Sequence, residues 1–146
     1  MSKVIDSLKD EYDLIIIDSP PTINILAENI FNAADYILVP IVPTTLSVRT
    51  FRYFLSFFND SGYDSRSVYA FLSMVDRRKK MHYELSLAVF KEFRHVLQSP
   101  IPYLSLIERM GVQREPVPAF APNSGAARAY QKLWAEIEQT ILNQTP

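Results

Sequence analysis

Cysteine is absent from the 146 residues, and glycine occurs only three times. Without a thiol there is no thiolate nucleophile, no cysteine-based zinc site and no iron–sulfur ligation, and compartment is left open on this count. The glycines, Gly62, Gly111 and Gly125, stand too far apart to write either G-x-x-x-x-G-K-[ST] or G-x-G-x-x-G, so the chain has no glycine-rich phosphate cradle of its own. No apolar run approaches the ~18 residues of a membrane-crossing helix, and the first residues lack the apolar stretch of a signal peptide, so a cytoplasmic location is expected. Internal repeats and low-complexity tracts are lacking as well.

What is present is a composition that is 48% hydrophobic and 12% aromatic, enough for one domain spanning 1–146 with a core that needs no disulfide or metal staple. Fifteen basic against sixteen acidic residues give a net charge of −1, so the whole molecule has no electrostatic reason to seek a polyanion. The distribution is uneven: residues 1–48 carry a net −5, 49–114 a net +5 and 115–146 a net −1. The basic middle is densest at Asp76-Arg77-Arg78-Lys79-Lys80, which reads either as a solvated loop or as an anion-facing patch.

Hydrophobic periodicity alternates between two patterns. Val4, Ile5, Leu8 and Tyr12 fall at helical spacing. Leu14-Ile15-Ile16-Ile17 is a continuous aliphatic run that predicts a strand buried on both faces, as in parallel sheets, and Ser19-Pro20-Pro21 stops it. Thr22 then caps a helix with Ile23, Leu26, Ala27, Ile30 and Phe31 on one face. Tyr36-Ile37-Leu38-Val39-Pro40 predicts a second buried strand. Thr44 or Thr45 caps a third helix, over 46–58, with Phe51, Phe54, Leu55 and Phe58 on one face. A third strand is expected over 68–75, a helix over about 82–97, and a short strand near 101–104. Pro116, Pro118 and Pro122 imply an extended stretch, and Asn123-Ser124 open a last helix with Ala127, Tyr130, Leu133, Trp134, Ile137 and Ile141 inward. Strand and helix in alternation specify an α/β fold: an open, mostly parallel sheet with flanking helices.

Ligands of parallel α/β sheets bind outside the carboxyl ends of the strands, and Asp18 stands at such an end. A carboxylate there suits a hard cation such as Mg2+, directly or through water, or simply caps the next helix. His82 and His95 lack the i, i+4 spacing of a helical metal pair. Glu136 and Glu138, two apart on a helix, do not face each other.

Four segments together resemble a known family. Tyr12-Asp13-Leu14-Ile15-Ile16-Ile17-Asp18-Ser19-Pro20-Pro21 is similar to the Walker B segment of the ParA/Soj/MinD family of deviant-Walker P-loop ATPases. Asn32-Ala33-Ala34-Asp35-Tyr36-Ile37-Leu38-Val39-Pro40 resembles that family's Ala-Ala-Asp segment, and Leu72-Ser73-Met74-Val75-Asp76-Arg77-Arg78 its Leu-Thr-Met-x-Asp-x-Arg strand end. Pro116-Val117 and Gly125-Ala126-Ala127-Arg128-Ala129-Tyr130 resemble its closing stretch. The resemblance implies a P-loop NTPase-like sheet, ATP and Mg2+ as cofactors, and a role in plasmid or chromosome partition or in division-site positioning. It places Asp18 by the Mg2+ water shell, Pro20 and Pro21 in the γ-phosphate switch, and Met74, Asp76 and Pro102 near the adenine. It also implies self-association, a partition adaptor protein, and non-specific DNA held by basic residues, for which Arg77, Arg78, Lys79 and Lys80 are the candidates, with Arg49 and Arg52 behind them.

The family's Lys-Gly-Gly-x-Gly-Lys-[ST] loop, its first strand and the aspartate that positions the attacking water are not in this sequence. Phosphoryl transfer is mostly positioning and electrostatic stabilisation, so the chain alone is expected to be inactive. The reading is therefore the C-terminal half of a ParA-like ATPase; the alternative is a non-catalytic binding module that keeps the partner- or DNA-facing surface. Without the first strand, the 14–17 and 36–40 strands are expected either to pair directly or to take a strand from another chain. A receiver domain, the remaining comparison for an aspartate-ended strand, lacks the acidic pair and late lysine it would need.

Overall fold

The computed structural model describes residues 7–8, 10–19 and 25–144. The chain divides into two compact units, Met1–Ile37 and Leu38–Pro146.

In the first unit, the Glu11 and Tyr12 N–H groups both donate to the Leu8 carbonyl, at 3.0 and 3.1 Å, closing a turn where the helical spacing of Leu8 and Tyr12 continues. Val4 and Ile5 lie outside the described residues. Residues 14–19 follow with no regular secondary structure. The expected strand at 14–17 is corrected here: among the described residues it joins no sheet, and Ile16 is 76% exposed. An aliphatic run specifies a strand only where a neighbour supplies its ladder, and none of the described strands does so. Pro20, Pro21, Thr22 and Ile23 lie outside the described residues. Helix α1 (Ile25–Phe31) buries Ala27 and Ile30, as the stripe predicts.

The second unit is built on a three-stranded parallel sheet in the order β1 (Ile37–Ile41), β2 (Val68–Leu72), β3 (Val96–Leu97). Strand β2 is central and almost wholly buried. The Ser73 N–H donates to the Ile41 carbonyl at 2.9 Å on one side of it, and Ala70 and Phe71 register with Val96 and Leu97 on the other. Strand β1 is an edge among the described strands, with Leu38 and Pro40 exposed. Proline fits an edge because it has no N–H to give a ladder.

Helix α2 (Thr45–Asp60) begins at Thr44, whose hydroxyl accepts the Ser47 N–H at 3.3 Å, and buries Val48, Phe51 and Phe58. Phe54 and Leu55 are half-buried, so the apolar face is the one expected. Gly62, at φ 82°, turns the chain after it, in the left-handed region that glycine adopts without strain.

Several expectations are corrected in the rest of the chain. Helix α3 (Lys80–Glu92) does not run on to residue 97: Phe93 is extended, and Val96 and Leu97 leave the helix to pair with buried β2. The strand expected near 101–104 shrinks to one parallel bridge, Val75 to Pro102, because Pro100 interrupts the ladder. The proline-rich stretch is not extended throughout. Short helices α4 (Ser105–Glu108) and α5 (Met110–Gln113) precede it and α6 (Val117–Phe120) lies within it, with Pro118 in the first turn of α6, where a missing N–H costs nothing.

Helix α7 (Gly125–Thr140) starts at Ser124, whose hydroxyl accepts the Ala127 N–H at 3.0 Å. Ala126 and Ala127 pack with Val117 beneath α4 to α6. Leu133 and Ile141 are buried as expected, but Trp134 is 41% exposed rather than inward. Its indole N–H donates to Glu138 at 2.7 Å, which satisfies a donor that a fully apolar site would strand.

Candidate functional site

The site grows from the carboxyl end of β2. Beyond Leu72 the chain crosses Met74, a non-glycine residue at φ 54°, and such left-handed backbone costs of order 1 kcal/mol or more unless its surroundings fix it. They do: the Val75 N–H donates to Ile101 and its carbonyl accepts the Tyr103 N–H, both at 3.0 Å. Met74, Val75 and Pro102 are thereby held at one end of the sheet, with Met74 exposed.

Asp76 follows, buried, and its carboxylate takes three hydrogen bonds from Arg78: the backbone N–H at 3.1 Å, Nε at 2.9 Å and Nη2 at 3.0 Å. Its own backbone N–H donates to His82 Nδ1 at 3.1 Å, which assigns the ring proton to Nε2. The Ser86 hydroxyl closes the network on the His82 carbonyl at 2.6 Å. His82 is therefore the buried acceptor that fixes the loop, a role its sequence position alone did not disclose.

The Arg78 side chain first, and its backbone N–H second, hold the Asp76 carboxyl at about 2, below the ordinary carboxylate value. A folded-state pKa below the unfolded one contributes stability at neutral pH that is lost as pH falls from about 4, the unfolded value, through about 2. Acid unfolding followed by circular dichroism should show that loss in the wild type. Asp76→Asn should flatten the pH-dependence of stability in the same window.

The basic run is exposed along its length, and two of its members are paired. Arg78 is spent on Asp76, and Lys80 lies 3.4 Å from Glu84 in an exposed i, i+4 pair. Arg52 makes a two-pronged pair with Glu92 at 2.5 and 2.7 Å, and Arg49 lies over the Tyr53 ring at 5.3 Å. Arg77 instead lines a cleft of about 410 Å3 bounded by Val75, Pro102, the 98–100 loop and the first turns of α7, where Arg128 and Lys132 join it. Three cations thus converge from parts of the sequence more than fifty residues apart. The sequence signal for Arg128 and Lys132 was their i, i+4 spacing at the start of a helix, which carries little weight alone.

The carboxylate at residue 18 is exposed, in the first unit. Among the described residues no three His, Asp or Glu side chains gather into a metal cluster. With no glycine cradle or phosphate-loop lysine in the sequence, and no cluster of ligands about Asp18 among the described residues, these residues do not by themselves fit MgATP. No helix among the described residues is long and apolar enough to cross a membrane.

Residues 1–64 match the family model described as AAA domain. The chain is 26% identical, over 95% of its length and 54% of the relative's, to the virulence plasmid ParA family protein pGP5-D of Chlamydia psittaci. It is 28% identical, over 94% of its length and 56% of the relative's, to the chromosome-partitioning ATPase Soj of Treponema pallidum. The crystal structure of the cell division ATPase MinD of Pyrococcus furiosus superposes with a TM-score of 0.75 at 23% identity, covering 94% of this chain and 56% of that one, which establishes the fold. The chain spans little more than half the length of these proteins, and its ordered motifs and these relationships make it similar to proteins of the ParA/Soj/MinD family.

Proposed function

We propose that this chain is the half of a ParA-type partition or positioning ATPase that follows the phosphate-binding loop, that its cationic cleft holds the phosphate backbone of DNA, and that ATP hydrolysis depends on phosphate-loop residues outside these 146. The observation that carries the binding role is the convergence of Arg77, Arg128 and Lys132 on one cleft, against a single carboxylate, Glu136, held on the Gln98 and Ser99 amides. Lys79 adds a further exposed cation beside it in sequence. Polyanion binding of this kind is driven by counterion release and reads phosphate rather than base sequence.

The nucleotide assignments rest on family likeness. Asp18 would face the water shell of Mg2+, with Pro20 and Pro21 in the γ-phosphate switch. Met74 and Pro102 stand ready at the strand ends for the adenine, with Asp76 holding their loop through Arg78. Leu14 and Ile16, exposed in the 14–17 run, and the β1 edge favour self-association or strand pairing with another chain. An adaptor protein and a cytoplasmic setting belong to the same reading.

Retention of a short duplex by the purified chain, measured against salt, tests the binding role. Three phosphate contacts predict a log–log slope of about −2.7. Absence of retention at low salt, or retention indifferent to salt, would overturn it.

A further inference from the structure

The cleft wall contains a pair of backbone donors that already grips an anion. Between Leu97, registered with Phe71, and Ile101, whose N–H donates to Leu72 at 2.8 Å, three residues leave the β2 ladder. Pro100 has no N–H, so the amides of Gln98 and Ser99 must find acceptors elsewhere. They converge on one side chain some 38 positions away: the Gln98 N–H donates to Glu136 Oε1 at 2.6 Å and the Ser99 N–H to Oε2 at 2.8 Å. Successive amides aimed at one point form a concavity that accepts carboxylate or phosphate oxygens alike. Gln98 and Ser99 line the same cleft as Arg77, Arg128 and Lys132, and Lys132 lies one turn before Glu136 on α7.

We propose that the Gln98–Ser99 amides are a phosphate subsite of the cleft, which Glu136 fills with its own carboxylate in the free protein. Glu136 then acts as an internal competitor. Its charge offsets one of the three cations, and its oxygens occupy the two neutral donors that an incoming phosphate would use. Displacing it frees both donors and raises the positive charge of the cleft by one. The proposal rests on the reading of the cleft as phosphate-binding, and it adds an occupant that is exchanged rather than a wall that is fixed.

Two variants test it on the full 146-residue chain. Glu136→Ala removes the grip, so its melting temperature should fall, and inorganic phosphate at constant ionic strength should raise it by more than it raises the wild type. Failure of phosphate to do so overturns the subsite. Glu136→Gln keeps the side-chain length and one acceptor oxygen but drops the charge. It should bind inorganic phosphate, and a short duplex at low salt, roughly three- to tenfold more tightly than wild type. Equal or weaker binding by a folded Glu136→Gln protein overturns the competition and leaves Glu136 a structural clamp. If wild type and variant both fail to retain the duplex while phosphate still restores Glu136→Ala, the subsite stands and the DNA reading of the cleft falls. Should Glu136→Ala not fold, phosphate titration of Glu136→Gln by calorimetry decides the question alone.

Discussion

Replacing Arg77, Arg128 and Lys132 together by glutamine should weaken duplex retention by about 10²- to 10³-fold at low salt. A solvent-exposed phosphate contact is taken at about 1–1.5 kcal/mol net, the upper part of the range of an ordinary hydrogen bond, and three are removed. The log–log salt slope should flatten by about 2.7 at the same time, because fewer counterions are released. Lys79→Gln with Lys80→Gln is the matched control, since both are exposed in the contiguous run and neither lines the cleft. A loss from the control pair as large as from the triple variant would return binding to the contiguous 77–80 run. The difference between the two outcomes is a difference of folding: proximity in sequence gathers 77–80, and only the packing of α7 beside the 98–100 loop gathers Arg77 with Arg128 and Lys132.

Leu72→Ala should cost about 2–5 kcal/mol of unfolding free energy, a large part of the roughly 5–15 kcal/mol that a domain of this kind possesses. Leu72 is 1% exposed and ends the central strand, where its carbonyl also accepts the Ile101 N–H at 2.8 Å. Truncation there leaves a cavity under the strand end that carries Met74 to Asp76, so loss of stability and loss of the cleft should appear together. Urea unfolding measures the first and duplex retention the second. Val112→Ala, at a residue 81% exposed, should stay within about 0.5 kcal/mol of wild type. Equal midpoints for the two variants would remove β2 from the centre of the core.

Much of this architecture is legible in the residues themselves. The β-branched and aliphatic runs at 37–41 and 68–72, the threonine and serine caps of α2 and α7, and their apolar stripes are local signals, and each element forms where its own chemistry puts it. The misreadings have a common cause. Residues 14–17 have the composition of a buried strand but no ladder among the described strands, while Val96 and Leu97 leave a helical pattern because Ala70 and Phe71 offer one. Pairing is a property of the neighbour, and a single sequence does not display its neighbours. The site divides the same way. Met74 and Asp76 stand in a recognisable motif. The Glu136 grip on Gln98 and Ser99 depends on a contact across 37–38 positions that no spacing rule announces.

The relation to ATPases and the absence of a phosphate cradle meet in one experiment. Asp18 and the strand-end loop resemble motifs of the ParA/Soj/MinD family, yet the groups that hold phosphates in such enzymes, successive loop amides and a lysine, have no counterpart in these 146 residues. Calorimetric titration of MgATP into residues 1–146 alone should therefore give no heat of binding and no release of phosphate. Micromolar MgATP binding by this chain would contradict the assignment, because it would require a phosphate site built from residues other than the family's loop.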